Sequence, residues 1–364
     1  MLRLARTRQA FCERAGNGMT IEIERGIPLA PFTTLGIGGP ARFFARVTSI
    51  EELREALAFD APIFILGGGS NLLIADEGFD GLVVRIELRG IEFRDDVVKV
   101  AAGEPWDGFV AMAVERGLAG IECLSGIPGL TGATPIQNVG AYGQDVSETI
   151  DRVEALDRRS GAIVELTNEE CRFGYRASYF KNIEKDRYVV LSVTFRLKAG
   201  GAPSVRYPEL EKYLGGERDL RKVREAVIAI RKRKGMVLDP NDPDTRSDGS
   251  FFMNPVIAEP QYAELAKFAP DAVHFAANAG NVKLSAAWLI EHAGFHKGFV
   301  HGNVGLSSKH TLAVINRGGG TAREVLELVR MVQDRVRAAF GVEIHPEPNF
   351  IGFATMSPHS HGTS

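Results

Sequence analysis

Apolar residues along the chain follow two rhythms. Over 51–59 and 106–116 they recur three and four positions apart, which predicts helices. Short runs at 62–66, 82–86 and 97–101 predict buried strands, and 42–47, rich in aromatic and β-branched residues, predicts another. Three further runs, 152–157, 162–166 and 188–197, predict an antiparallel meander whose first turn is Arg158-Arg159-Ser160-Gly161. Past a turn at 200–203 the character changes. A long basic amphipathic helix is expected over 220–234, a Pro/Asp-rich loop over 239–248, and helices over 261–268, 286–293 and 321–340. In the last of these Val325, Leu328, Val329, Val332, Val336 and Phe340 form one stripe, the pattern of a helix packed on a sheet. Mixed strands and helices make this an α+β chain, with its sharpest compositional boundary between Gly200 and Leu220.

Composition narrows the class. With 364 residues the chain is long enough for two or three domains with real cores. Its 43 Lys and Arg against 46 Asp and Glu leave no basic footprint for nucleic acid. No stretch approaches the roughly 18 apolar residues of a membrane span. Cys12, Cys123 and Cys171 are odd in number and form no CxxC, so a disulfide framework or structural zinc site is not expected, and a reducing, cytoplasmic location is. His292 and His296 have ligand spacing but flank Gly294 near a helix end; no metal site is expected. The first 18 residues, with Arg3, Arg6, Arg8 and Arg14 against Glu13, fit a dispensable, disordered extension, or a misplaced start ahead of Met19, better than a transit peptide. Residues 354–364, which include His359 and His361, are expected to be disordered.

The 40 glycines cluster. Gly36-Ile37-Gly38-Gly39-Pro40-Ala41 mimics a dinucleotide fingerprint, but a strand rather than a helix is expected after it, so the fingerprint is rejected. Gly67, Gly68 and Gly69, followed by Ser70 and Asn71, stand at the end of a predicted strand. Successive bare backbone N–H groups with side-chain donors beside them make an anion nest fit for a pyrophosphate, whereas a simple turn would need one glycine. From Ser125 to Gly143, nineteen residues hold five glycines, two prolines and no charge. A long uncharged loop in a compact domain is usually functional, and this one suits a flat, mostly apolar ring system. Arg246 to Pro255 places Ser250 at the entry of a short strand.

The segments FTTLGIGGPARFF, ILGGGSNLLIADEGFDGLVV, GIPGLTGATPIQNVGAYGQ, CRFGYRASYFK, GSFFMNP and HPEPNFIG occur here in the order seen in UDP-N-acetylenolpyruvoylglucosamine reductases. The resemblance covers about 28–353. It implies a two-part FAD-binding region of the PCMH/vanillyl-alcohol-oxidase type followed by an α/β substrate-binding domain. Expected limits are 19–88 and 89–218 for the FAD-binding subdomains, 219–345 for the substrate domain and 346–353 for a strand returning to the flavin site.

The resemblance also implies non-covalent FAD, NADPH as co-substrate, and a UDP-sugar whose enolpyruvyl ether is reduced to a lactyl ether. A different FAD oxidoreductase of the same fold is the alternative. Gly67, Gly68, Gly69, Ser70 and Asn71 would hold the pyrophosphate. Gly126, Gly132, Ala133, Gln137, Asn138, Gly140, Ala141, Tyr142 and Gly143 would lie along the flavin. Ser250 would donate a proton to carbon, while Arg176 and Glu347, the latter holding or sharing a proton, would flank the substrate carboxylate. Tyr175, Tyr207, Lys234, Asn254 and His292 would bind the substrate, the last where a Gln is frequent in the family. The family is often monomeric.

Overall fold

The computed structural model describes residues 21–353; the expected extensions at 1–18 and 354–364 lie outside them. The described chain forms two compact units, and neither is a single stretch of sequence. The first takes residues 21–28, 40–68 and 79–228; the second takes 29–39, 69–78 and everything from 229 onward.

Besides two two-stranded ladders, the first unit holds two large sheets. In one, Ile23–Pro28 pairs antiparallel with Pro40–Val47, which runs parallel to Phe79–Ile86, which in turn runs parallel to Ile63–Leu66. The strand expected after the Gly36 cluster is therefore present, and rejection of the dinucleotide fingerprint stands. The other sheet is antiparallel, in the order Ile163–Thr167, Ile150–Asp157, Tyr188–Arg196, Val97–Ala101, Ile91–Arg94. This corrects the meander. Ile150–Asp157, not Ile163–Thr167, pairs with Tyr188–Arg196, so the most apolar strands occupy the middle and the largely exposed Ile163–Thr167 takes an edge. Helix Trp106–Glu115 packs into the same core, where Trp106, Phe109 and Phe195 meet with ring centroids 5.0–5.8 Å apart. The Trp106 indole N–H, which would be costly to bury unpaired, donates to the Leu124 carbonyl at 3.1 Å.

The second unit is built around helix Ala322–Phe340. Val325, Leu328, Val329, Val332 and Val336 of the predicted stripe are buried, while Phe340 lies at the margin against Trp288 at 5.4 Å. The N-terminal N–H groups of this helix are satisfied from two places. Ala322 and Arg323 donate to the Asp76 carboxylate at 2.7 and 3.1 Å, and Glu324 donates to the Thr321 hydroxyl at 3.1 Å. Asp76 follows Leu72–Ile74, which is paired in parallel with Asn349–Ile351. A three-stranded antiparallel sheet, Val256–Ala258, Asn281–Leu284, His274–Ala276, completes the unit with helices Glu259–Ala266 and Ala286–His292.

Candidate active site

Strand Ile63–Leu66 delivers the chain into the glycine turn. Two of the three glycines are demanded by packing, which corrects the expectation that a structural turn would need only one. A Cβ on Gly68 would come within 2.5 Å of Gly129 Cα, and Gly69, at φ +63°, would drive one into the Phe32 carbonyl. Gly67 differs: a Cβ there would meet nothing within 4 Å, and no positive φ requires glycine. The backbone at Gly67 is thus left bare beside open space, as a cradle for a large anion needs. On either side the turn is pinned. Arg85 donates to the Gly67 carbonyl at 3.3 Å, and the Thr34 N–H donates to the Gly69 carbonyl at 3.0 Å.

The uncharged segment is not structureless. It contains a 3₁₀ turn Thr131–Ala133, a short helix Thr134–Gln137 and a two-residue ladder joining Gly140–Ala141 to Gln144–Asp145. Local hydrogen bonding compensates for its lack of charge, and Asp107, in the first turn of helix Trp106–Glu115, accepts the Gly126 N–H at 2.6 Å while pairing with Arg224. Gly132 packs against Ala102, and a side chain at Gly140 would overlap the Asp145 carboxylate.

The GYRASYFK segment is laced onto this one. Arg176 donates to the Asn138 and Gly140 carbonyls at 3.2 and 2.6 Å and stands 3.8 Å from Asp145. Asn138 donates to the Gly174 carbonyl at 2.8 Å, and Ser178 donates to the Ile136 carbonyl at 2.7 Å. Lys181 donates to Gln137 Oε1 at 2.8 Å and to the Arg176 carbonyl at 3.1 Å. Asn138, Tyr142 and Arg176 all adopt left-handed backbone, at φ +45°, +52° and +51°. For residues with a Cβ this conformation costs about 1–3 kcal/mol each and persists only where neighbours over-determine it. The result is a guanidinium held at a fixed place by rigid backbone, with the Tyr175 ring 5.3 Å from it. Nothing in the sequence singles out Lys181 or Ser178, because a charge-free loop takes its donors from a segment distant along the chain.

The segments that carry Ser250 and Glu347 pair in the second unit. Phe252 and Pro346 form a bridge, Glu347 N–H donates to the Phe251 carbonyl at 2.8 Å, and Met253 N–H donates to the His345 carbonyl at 3.0 Å. Ser250 therefore precedes an isolated bridge rather than a full strand, because the pairing stops at Pro255 on one side and the glycine-bounded segment on the other. The Glu347 segment also reaches the glycine turn: Asn71 donates to the Glu347 carbonyl at 3.5 Å, and Asn349 N–H donates to the Asn71 carbonyl at 3.0 Å.

The expected substrate-binding residues are less closely grouped. Tyr175 is half exposed, and Tyr207 stacks edge-on to Tyr142 at 5.4 Å. Lys234 lies just beyond helix Leu220–Arg233. Asn254 Oδ1 accepts the Ala286 N–H at 3.0 Å and so satisfies the first N–H of helix Ala286–His292. His292 stacks on Trp288 at 3.8 Å and lies 3.9 Å from Asp271. Among the described residues no group of three His, Cys, Asp or Glu side chains is placed to hold a metal. Cys123 and Cys171 are buried free thiols pushed up to about 12 by burial, so neither offers a thiolate nucleophile.

A family model described as "FAD binding domain" matches residues 41–167. Together with the PCMH-type arrangement of sheets and glycine turn, it defines a flavin-dependent oxidoreductase. A second model, "UDP-N-acetylenolpyruvoylglucosamine reductase, C-terminal domain", matches residues 240–351. The UDP-N-acetylenolpyruvoylglucosamine reductase of Thermobifida fusca is 46% identical over 355 residues, spanning 92% of this chain and 99% of that protein. The protein of the same name from Streptomyces coelicolor is 49% identical over 346 residues, 90% of each. The crystal structure of UDP-N-acetylenolpyruvylglucosamine reductase from Thermus caldophilus matches with a TM-score of 0.65 at 28% identity, covering 92% of this chain and all of that one. The chain belongs to the UDP-N-acetylenolpyruvoylglucosamine reductase family.

Proposed function

We propose that Ser250, Arg176 and Glu347 carry the chemistry of the family's reaction. The reaction is the NADPH-dependent reduction of UDP-N-acetylglucosamine enolpyruvate to UDP-N-acetylmuramate, a step of peptidoglycan precursor synthesis. FAD, once bound, would supply hydride transfer between NADPH and the enolpyruvyl group. Gly67, Gly68, Gly69, Ser70 and Asn71 would hold its pyrophosphate, and the segment from Gly126 to Gly143 its ring. The bare Gly67 backbone and the hydrogen-bonded, charge-free segment fit those two parts.

Hydride arriving at the methylene drives electron density onto the substrate carboxylate. A preorganised cation stabilises that charge best, since it needs no reorganisation at the moment of reaction. Arg176 is such a cation, fixed by two carbonyls. Glu347 would share a proton with the same carboxylate. The Ser250 hydroxyl would then deliver a proton to the carbon bearing the ether oxygen and be reprotonated from solvent. Serine is a weak acid, and the strong basicity of the enolate makes it sufficient. The observation that carries this assignment is the pairing of the Ser250 and Glu347 segments through Phe251, Phe252 and Pro346.

Tyr175, Tyr207, Lys234, Asn254 and His292 would contact the UDP-sugar. Residues 19–88 and 89–218 would serve FAD, 219–345 the substrate, and 346–353 would return to the flavin. The enzyme would act as a cytoplasmic monomer; no helix among the described residues is long and apolar enough to cross a membrane. NADPH and the UDP-sugar would use one pocket in turn, giving parallel double-reciprocal lines.

The test is a split of half-reactions by stopped flow. Ser250→Ala leaves flavin reduction by NADPH within about twofold and slows reoxidation by the enolpyruvyl substrate by about 10²–10⁴. Equal slowing of both halves would make Ser250 a structural residue.

A further inference from the structure

Asp248 is the most unusual ionisable group among the described residues. It is buried, two positions before Ser250, with no basic partner. One oxygen, Oδ1, accepts from the Thr34 hydroxyl at 3.1 Å, and the carboxyl also accepts the backbone N–H of Leu72. The other oxygen, Oδ2, is buried without a hydrogen-bond partner.

The partners of this carboxyl lead to the exit of the glycine turn and to the strand that follows Glu347. Thr34 uses its own N–H to hold the Gly69 carbonyl at 3.0 Å. Leu72 is the first residue of the strand leaving the glycine turn, and it pairs with Asn349, two residues beyond Glu347. We propose that Asp248 is a positioning residue, a buried clamp that fixes the exit of the glycine turn against the segment carrying Ser250. The proposal rests on the roles given above to the turn and to Ser250.

A carboxyl in this place has a charge consequence that a serine or threonine would not. Burial pushes it up to about 8 against the two hydrogen bonds, which pull the other way. The segments that bond Asp248 or its chain neighbours, 29–39, 69–74 and 312–316, contain no ionisable side chain. Arg246, His345 and Glu347, together with Asp76, His310 and Arg317 at the ends of those segments, are the ionisable groups on the adjoining stretches, and none is among the causes of the shift. Asp248 is therefore mainly the neutral acid at pH 7. A neutral clamp tolerates a diphosphate on the turn beside it, whereas an ionised one in the same dry surroundings repels it. FAD binding and proton retention by Asp248 are linked with the same sign.

The test reads FAD affinity, not turnover. Apoprotein of the wild type, Asp248→Asn and Asp248→Ala is titrated with FAD between pH 6.5 and 9.5, following flavin fluorescence. In the wild type the Kd rises once pH exceeds about 8, with a slope of at most about tenfold per pH unit for one linked proton. Asp248→Asn keeps an acceptor oxygen and cannot ionise, so its Kd loses that slope and stays within about threefold of the wild-type value at pH 7. Asp248→Ala strands the Leu72 N–H, weakens FAD about tenfold at every pH, and slows reoxidation by the UDP-sugar more than reduction by NADPH. A wild-type Kd flat to pH 9.5, or a slope that survives in Asp248→Asn, overturns the proposal. If the alanine variant does not fold, the asparagine variant decides alone. Ser250→Ala must retain the wild-type slope; should it instead leave both half-reactions intact, the role given to Ser250 fails while the clamp stands.

Discussion

Lys181 shows how much of a flavoenzyme's rigidity can rest on a residue that touches no reacting atom. Its ammonium joins Gln137 of the charge-free segment to the main chain of Arg176, whose left-handed backbone has to be held from outside. Lys181→Met removes both bonds and leaves the stem to pack. With Arg176 in the role proposed for it, a guanidinium displaced by a fraction of an ångström would no longer meet the developing charge, and kcat/KM for the UDP-sugar would fall about tenfold, or about 1.4 kcal/mol. Steady-state kinetics beside a thermal melt checks this, the melt shifting by no more than about 2 °C because the site lies on the surface of the core. At this scale the sequence announces residue types but not their reasons. Three successive glycines read as one anion nest, yet Gly68 and Gly69 answer to Gly129 and Phe32, and only Gly67 is bare without a packing cause. Asp248 reads as one acid in a Pro/Asp-rich loop, because burial by segments some two hundred positions away leaves no local mark.

Among the elements, periodicity located helices well. The stripe from Val325 to Val336 is buried as read, and Ala322–Phe340 departs from its expected span by one residue. Pairing was less legible. Three apolar runs in succession look like a meander, but which strand takes the edge depends on the faces covered elsewhere, here by the core around Phe195. The N-terminus of Ala322–Phe340 illustrates a related point. Its second cap, Asp76, comes from the ILGGGSNLLIAD segment that resembles a cofactor motif, and its job in the structure is to accept two helix N–H groups. Asp76→Ala strands both and removes a charge that favours the helix dipole, so the fold loses about 2 kcal/mol. Chemical denaturation with an unchanged m-value would show it; a loss below about 0.5 kcal/mol would mean that Thr321 alone suffices.

Two carboxyls make the whole molecule sensitive to pH from opposite sides. Asp157, accepting from Arg187 at 2.7 and 3.2 Å, is held well below the usual carboxylate range. What it contributes to stability is complete above its unfolded value, near 4, and is lost as pH falls through its folded value. Asp248 is raised, so the folded chain keeps a proton that the unfolded chain has lost. Its contribution is complete below pH 4 and declines as pH climbs to about 8. Melting temperature against pH should therefore fall at both ends. Asp248→Asn flattens the decline between pH 5 and 8 and leaves the acid limb in place, whereas Arg187→Met weakens the acid limb. Differential scanning calorimetry of the apoprotein reads both, and an alkaline decline unchanged in Asp248→Asn would contradict the buried acid.

The interleaving of the two units was not legible in the sequence at all, because composition changes once, near residue 210, whereas the chain changes unit five times. That interleaving has a consequence for biogenesis. Residues 29–39 and 69–78 leave the ribosome well before the rest of their body, which begins at residue 229 and includes the mate of Leu72–Ile74 at Asn349–Ile351. The glycine turn therefore waits, half-housed, through the synthesis of everything between.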